Sequence, residues 1–252
     1  MRGTVHFYQG IVDIRLMSDQ LTEAYVPDEV PDEDLAYFAK SDDRVESLRR
    51  EWGENVALLV VDMTNAFVSD EYYLGRSDTG QPAIDANAEL IEAARAADAP
   101  IIYTRGTDAD HFPPAYQGTT KSAGDRDEEF AAMWETGNQI HDDIAPEPED
   151  IVIQKPRASA FFDTHLANLL HHYDVDTLIV TGMTTSGCVR ASVVDGHSSN
   201  FQVVVPIEAA ADRSVISHKI SLFDMDMKYA DVLPVEEVVD EIGATAAAVA
   251  DD

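Results

Sequence analysis

The stretch Thr177-Leu178-Ile179-Val180-Thr181-Gly182-Met183-Thr184-Thr185-Ser186-Gly187-Cys188-Val189-Arg190 decides how the chain is read. Its apolar start, 177–180, has the composition of a strand. A small, polar, Gly-containing turn follows, and 189–199 is compatible with a helix. Cys188, the only cysteine of the chain, is therefore placed at the end of a strand and at or beside a helix start. The partial positive charge of a helix N-terminus favours a thiolate over a thiol. That setting reads as a nucleophile rather than as the small buried hydrophobe a lone Cys usually is.

Working outward, similar apolar runs recur at 56–61, 99–103, 151–153 and 201–205, with a weaker one at 230–233. Continuous apolar runs of this length predict strands covered on both faces, hence a parallel sheet. Helix-compatible stretches separate most of them: 84–97, 163–173, 187–199, 215–227 and 235–250. The alternation predicts an α/β fold with right-handed crossovers and helices on both faces, with ligands beyond the C-terminal ends of the strands. Residues 1–54 form an acidic N-terminal extension with too few apolar residues for its own core, and 55–252 form the main domain. The segment 105–149 breaks the rhythm with Pro113-Pro114, Tyr116 and Trp134. So long an irregular insertion, with aromatic residues, suits a lid or pocket wall.

Composition narrows the partners. The 48 Asp and Glu outnumber the 17 Lys and Arg, for a formal net charge of −31. No basic patch exists to neutralise phosphates, which excludes nucleic acid as a partner. No window approaches the roughly 20 apolar residues of a membrane span, and no signal-peptide core is visible. A single Cys excludes a disulfide framework and any multi-Cys metal site, and suits a cytoplasmic location. The acids are spread over every segment, so we read the charge as halophilic adaptation: molar salt shortens the Debye length to about 3 Å and screens the self-repulsion. The Tm is expected to climb steeply with KCl; equal values in dilute buffer and in molar KCl would remove that reading.

Three chemically useful residues fall at strand ends: Asp62 after 56–61, Lys155 after 151–153, and Cys188. A free thiol is only a few per cent thiolate at neutral pH. A nearby carboxylate can take its proton and later deliver it to a leaving amine. An ammonium between the two keeps the carboxylate ionised, and backbone N–H groups around Thr184 and Cys188 can form an oxyanion hole.

Three motifs carry a resemblance. They are Val60-Val61-Asp62-Met63-Thr64-Asn65-Ala66-Phe67, Lys155-Pro156-Arg157-Ala158-Ser159-Ala160-Phe161-Phe162, and Gly182-Met183-Thr184-Thr185-Ser186-Gly187-Cys188-Val189-Arg190-Ala191. In order and spacing the chain resembles the isochorismatase-like cysteine hydrolases, nearest to their N-carbamoylsarcosine amidohydrolase branch, over about residues 56–235. The resemblance implies a three-layer, Rossmann-like, six-stranded parallel sheet and a catalytic triad of Asp62, Lys155 and Cys188. It also implies a cis peptide at Met183-Thr184 and an oxyanion hole from the N–H groups of Thr184 and Cys188. Arg213 matches the position that holds a substrate carboxylate in that branch; the competing reading is a salt bridge to Asp212 or another acid. Thr185 and Phe67 are pocket-lining candidates on the same grounds. The branch usually has Gly where this chain has Asp163, which we expect to cap a helix. A homo-oligomer, dimer or tetramer, is likewise implied only by the family.

The function expected is cysteine-dependent hydrolysis of a C–N bond in a small amide or N-carbamoyl compound, with no cofactor and no metal. One alternative is a metal-assisted nicotinamidase. Its Asp-x-His arrangement is approached by Asp108-Ala109-Asp110-His111, but with no second His nearby. Isochorismatase proper fits less well, since that branch does without the nucleophilic Cys. The other alternative is a non-catalytic metabolite-binding or redox-sensing protein built on Cys188.

Overall fold

The computed structural model describes residues 52–107 and 134–250. Seven strands form one parallel sheet: β1 (Val56–Val61), β2 (Ile101–Gly106), β3 (Ile151–Lys155), β4 (Thr177–Met183), β5 (Gln202–Pro206), β6 (Ala210–Ala211) and β7 (Asp231–Leu233). The order across the sheet is β3-β2-β1-β4-β5-β7. The strand count differs from the six expected. β6 pairs with the end of β4, Gly182 beside Ala210 and Met183 beside Ala211, where β5 no longer runs alongside. Two alanines are too short a run to register as a strand in sequence.

Among the described residues five helices longer than one turn flank the sheet: α1 (Ser77–Ala96), α2 (Leu166–His172), α3 (Arg190–Ser198), α4 (Val215–Asp226) and α5 (Val235–Ala250). The central strands are covered on both sides, so alternate residues of β1 enter two separate cores. Leu58 and Val60 meet Ile84 and Leu90 of α1 and Val238 and Ile242 of α5. Leu59 and Val61 meet Leu166 and Leu170 of α2, Val193 of α3 and Leu222 of α4. Burying each such side chain stabilises the fold by about 1.5–3 kcal/mol. One polar link crosses the first core: the fully buried Asn87 donates to the carbonyls of Ala83 (2.7 Å) and Ala209 (2.9 Å) and accepts from the Thr181 hydroxyl at 2.6 Å.

Helix α1 begins at Ser77 rather than at the expected residue 84. Gly80 and Pro82 argue against a helix in sequence, yet both are accommodated. Gly80 lies against the backbone of Val68, where a Cβ would approach to 3.0 Å. The helix start is held by Asp70, which accepts from the Ser77 N–H at 3.0 Å. Asp163 does not cap a helix. It sits at φ +54°, the left-handed region, and α2 starts later, at Leu166. Glycine adopts that conformation without steric cost, which accounts for the family's Gly at this position.

The N-terminal extension falls outside the described residues except for 52–54. There Trp52 packs against the first core and the Gly53 N–H donates to Thr177 Oγ1 at 3.0 Å. Most of the expected lid, including Pro113-Pro114 and Tyr116, also lies outside them. Among the described residues no helix is long and apolar enough to cross a membrane.

Candidate active site

Strands β1 and β4 are neighbours, but the chain leaves them in opposite directions across the sheet, toward β2 and toward β5. Their C-terminal ends therefore flank a crevice, the place where such sheets bind ligands. Asp62 follows β1 directly, 2% exposed and at φ +50°. Its N–H donates to the carbonyl of Thr104 at 3.1 Å, and the Thr104 hydroxyl donates to its Oδ1 at 2.8 Å. Lys155 ends β3, two strands away, and its ammonium spans the gap. It makes a 2.6 Å ion pair with Asp62 Oδ2 and donates to Cys188 Sγ at 3.3 Å and to the Arg157 carbonyl at 3.0 Å. All three N–H bonds of the ammonium are thus directed.

Burial alone would lower the Lys155 pKa, but the Asp62 carboxylate and the Cys188 sulfur outweigh it, and the group titrates above the usual lysine range. Cys188 is half-buried. Desolvation and the neighbouring Asp62 push its thiol up to about 12, with Lys155 opposing only in part. This corrects the expectation of a helix-stabilised thiolate. Cys188 lies within a π-helical turn, Thr185–Val189, ahead of α3, and the adjacent carboxylate dominates the field there. The resting sulfur is a thiol. A redox sensor needs a readily formed thiolate, so this state also opposes that alternative.

The Cys188 turn is braced from several sides. The peptide bond between Met183 and Thr184 is cis. The Thr184 carbonyl accepts from the N–H groups of Gly187 (2.9 Å) and Val189 (3.2 Å). The fully buried Ser192 donates to the Cys188 carbonyl at 2.8 Å and accepts from the Ala160 N–H at 2.9 Å, tying the turn to the segment after Lys155. Gly182 stands at φ +109°, and a Cβ there would lie 1.9 Å from the Val61 carbonyl oxygen.

The other expected residues are placed as follows. Thr185 has no exposed surface, and its hydroxyl is 2.8 Å from His218 Nδ1, so it serves inside the turn rather than presenting a face to a ligand. Burial lowers the His218 pKa, with Asp212 opposing and Lys219 adding, which leaves the ring neutral near pH 7. Phe67 is half-buried against the first core, on the helical turn Asn65–Val68 that follows Asp62. Arg213 is exposed, and its guanidinium has no hydrogen-bond or ion-pair partner among the described residues. The expected competitor, a salt bridge to Asp212, does not form. That carboxylate instead accepts from Ser186 and from the Ser214 N–H.

Sequence reasoning missed Thr104, Ser192, Asp212 and His218. Thr104 could have been noticed as a polar residue closing an apolar strand, and Asp212 as the neighbour of Arg213. Asp108 and His111 lie outside the described residues. Among the described residues no group of His, Cys, Asp and Glu could hold a metal. A cavity of about 900 Å³ opens at the other edge of the sheet, beside Val56, Ile101 and Ile151 at the strand starts. Cavity size does not mark this site.

The comparisons agree with this geometry. An isochorismatase domain matches residues 56–237. N-carbamoylsarcosine amidase of Arthrobacter sp. is 33% identical over 206 residues, covering 77% of this chain and 73% of the amidase. Maleamate amidohydrolase of Pseudomonas putida is 42% identical over 99 residues, 39% of this chain and 46% of that protein. A cysteine hydrolase structure from Pseudomonas syringae pv. phaseolicola shares the fold with a TM-score of 0.68 at 23% identity, covering 78% of this chain and 97% of its own. With the domain match extending over most of its length, the chain belongs to the isochorismatase family.

Proposed function

We propose that the protein is a cysteine amidohydrolase that cleaves a C–N bond in a small, carboxylate-bearing amide or N-carbamoyl compound and releases ammonia. One observation carries the reading: a single buried ammonium, Lys155, bonds at once to a carboxylate at 2.6 Å and a thiol sulfur at 3.3 Å, each from a different strand end. Asp62 takes the proton of Cys188 as the sulfur attacks the substrate carbonyl, which avoids the cost of a free thiolate. The N–H groups of Thr184 and Cys188 receive the oxyanion. The tetrahedral intermediate collapses, Asp62 returns its proton to the leaving nitrogen, and ammonia departs. Water, deprotonated by Asp62, then attacks the thioester or thiocarbamate carbonyl; the C–S bond breaks and the sulfur recovers the proton. Lys155 bridges the two reacting groups and holds them in register. The amide and carbamoyl relatives support this bond type.

Arg213 is the proposed carboxylate reader. Arg76, Arg95, Lys155, Arg190 and Lys228 each pair with an acid. In a chain of net charge −31, a guanidinium with no partner among the described residues is suited to an anion from outside, and its planar fork takes a carboxylate at two points. The test is an ammonia-release screen in high salt over N-carbamoyl amino acids, maleamate, ureidoacrylate, biuret and nicotinamide. Hydrolysis of an acidic member supports the reading; strict dependence on an added divalent ion would favour the nicotinamidase type instead. On the best acidic substrate, Arg213→Ala is expected to raise KM by about tenfold or more, the weight of a charge-assisted hydrogen bond. An unchanged KM would remove Arg213 from the site.

A further inference from the structure

The segment that follows β6 grips the nucleophile turn and presents Arg213 within two consecutive residues. β6 pairs with the end of β4, Met183 beside Ala211, so Asp212 and Arg213 follow the last paired residue of β6 as the Cys188 turn follows that of β4. Asp212 is 6% exposed. Its Oδ2 accepts from both the N–H (2.8 Å) and the hydroxyl (2.7 Å) of Ser186, and its Oδ1 accepts from the Ser214 N–H at 3.2 Å. His218, on α4, adds a second tie at Thr185. The same backbone is held from its other side: the Asp212 carbonyl accepts from the Thr79 hydroxyl at 3.1 Å, and the Arg213 carbonyl accepts from the Arg76 guanidinium. Neither the turn nor the arginine's backbone can slide without breaking several of these bonds.

We propose that Asp212 is a positioning residue that fixes the Cys188 turn at a set distance from Arg213, so that acidic amides are selected by the separation between their carboxylate and their carbonyl carbon. This rests on the amidohydrolase reading above. A substrate whose carboxylate is anchored on Arg213 delivers its carbonyl at a point set by its own length. One methylene more or fewer moves that carbon by about an ångström, and a misplacement of that size at a reacting centre costs about 10²-fold. Rigidity between anchor and nucleophile converts length into rate, and a loose turn would follow the substrate instead.

The test uses the full chain in high salt and the linear monoamides malonamate, succinamate, glutaramate and adipamate. For the wild type, kcat/KM is expected to peak at one length, with its neighbours at least tenfold lower. In Asp212→Ala the peak falls and the ratio to its neighbours shrinks to threefold or less. Ser186→Ala should shrink it as well; that residue is exposed, so the change leaves the core intact and keeps the test usable if Asp212→Ala fails to fold. Asp212→Asn, which retains an acceptor for Ser186, should restore part of the ratio. A merely weakened fold would lower every member by one factor and leave the ratio alone. An unchanged ratio in the Asp212 or Ser186 variants overturns the inference, as does a wild type indifferent to length. Ammonia release from none of the series and none of the screen overturns the amidohydrolase reading itself, and the inference with it.

Discussion

Turnover in Cys188→Ala is expected to fall by roughly 10⁴- to 10⁶-fold, the scale on which loss of a nucleophile acts in hydrolases, while the fold is retained. Cys188 is half-buried at the crevice rather than deep in either core, so removing its sulfur leaves no large cavity. Serine should not rescue, because an alcohol is a much weaker acid than the thiol that Asp62 is proposed to deprotonate. The variant also reports on the thiol's resting state. In the unfolded chain the thiol ionises near pH 8.5; in the native protein it does so only near 12. The native state therefore holds its proton where the unfolded state releases it. The associated stability is complete below about pH 8.5 and is lost as pH rises toward 12, at no more than about 1.4 kcal/mol per pH unit. Lys155, also shifted upward, acts with the same sign above its own usual range. The wild-type Tm should thus fall more steeply between pH 8 and 10 than that of Cys188→Ala. Parallel curves, or iodoacetamide alkylation that reaches its plateau below pH 8, would contradict a protonated resting thiol.

Lys155→Met is expected to remove activity and to cost about 3–5 kcal/mol in stability, the usual result of leaving one partner of a buried ion pair behind. Asp62 is 2% exposed, and without the ammonium the Thr104 hydroxyl and the Cys188 thiol are the neutral partners left beside its carboxyl. For a domain of this size the loss corresponds to a Tm lower by about 10 °C. The double variant Asp62→Asn, Lys155→Met removes both charges and should recover much of the stability but none of the activity. If the double variant were no more stable than the single one, the pair would not be the source of the loss. Thermal melts with ammonia release on the same samples separate the two effects.

Much of this arrangement is legible in the chain because its central strands are buried on both faces. Every residue of β1 and β4 is covered, so β1 reads as an unbroken apolar run ended by Asp62, and β4 shows the apolar stretch Leu178-Ile179-Val180. The helices were legible where their apolar faces repeat. The start of α1 was not, because Gly80 and Pro82 are stop signals whose cost is offset by contacts with Val68 and Asp70, remote from any local pattern. β6 was invisible for want of length. The state of Cys188 was misread because a helix start is a local feature, whereas the thiol is held protonated first by burial and then by Asp62, which lies far away in sequence and touches the sulfur only after folding. Asp212 and His218 share that difficulty: their partners, Ser186 and Thr185, lie 26 and 33 residues away and meet them only after folding.

The sheet also sets an order in which the site can fail. Asp62 and the Cys188 turn hang from β1 and β4, at the sheet's centre. Lys155 hangs from β3, one of the two edge strands described, where Val152 and Gln154 are exposed on either side of the buried Ile153 and Val152 is 42% exposed. Peripheral strands open at lower free energy than central ones. Warming or dilution of salt should therefore detach the cation first and extinguish catalysis while the remaining sheet still stands, so that the upper limit of function is drawn by the margin of the molecule and not by its heart.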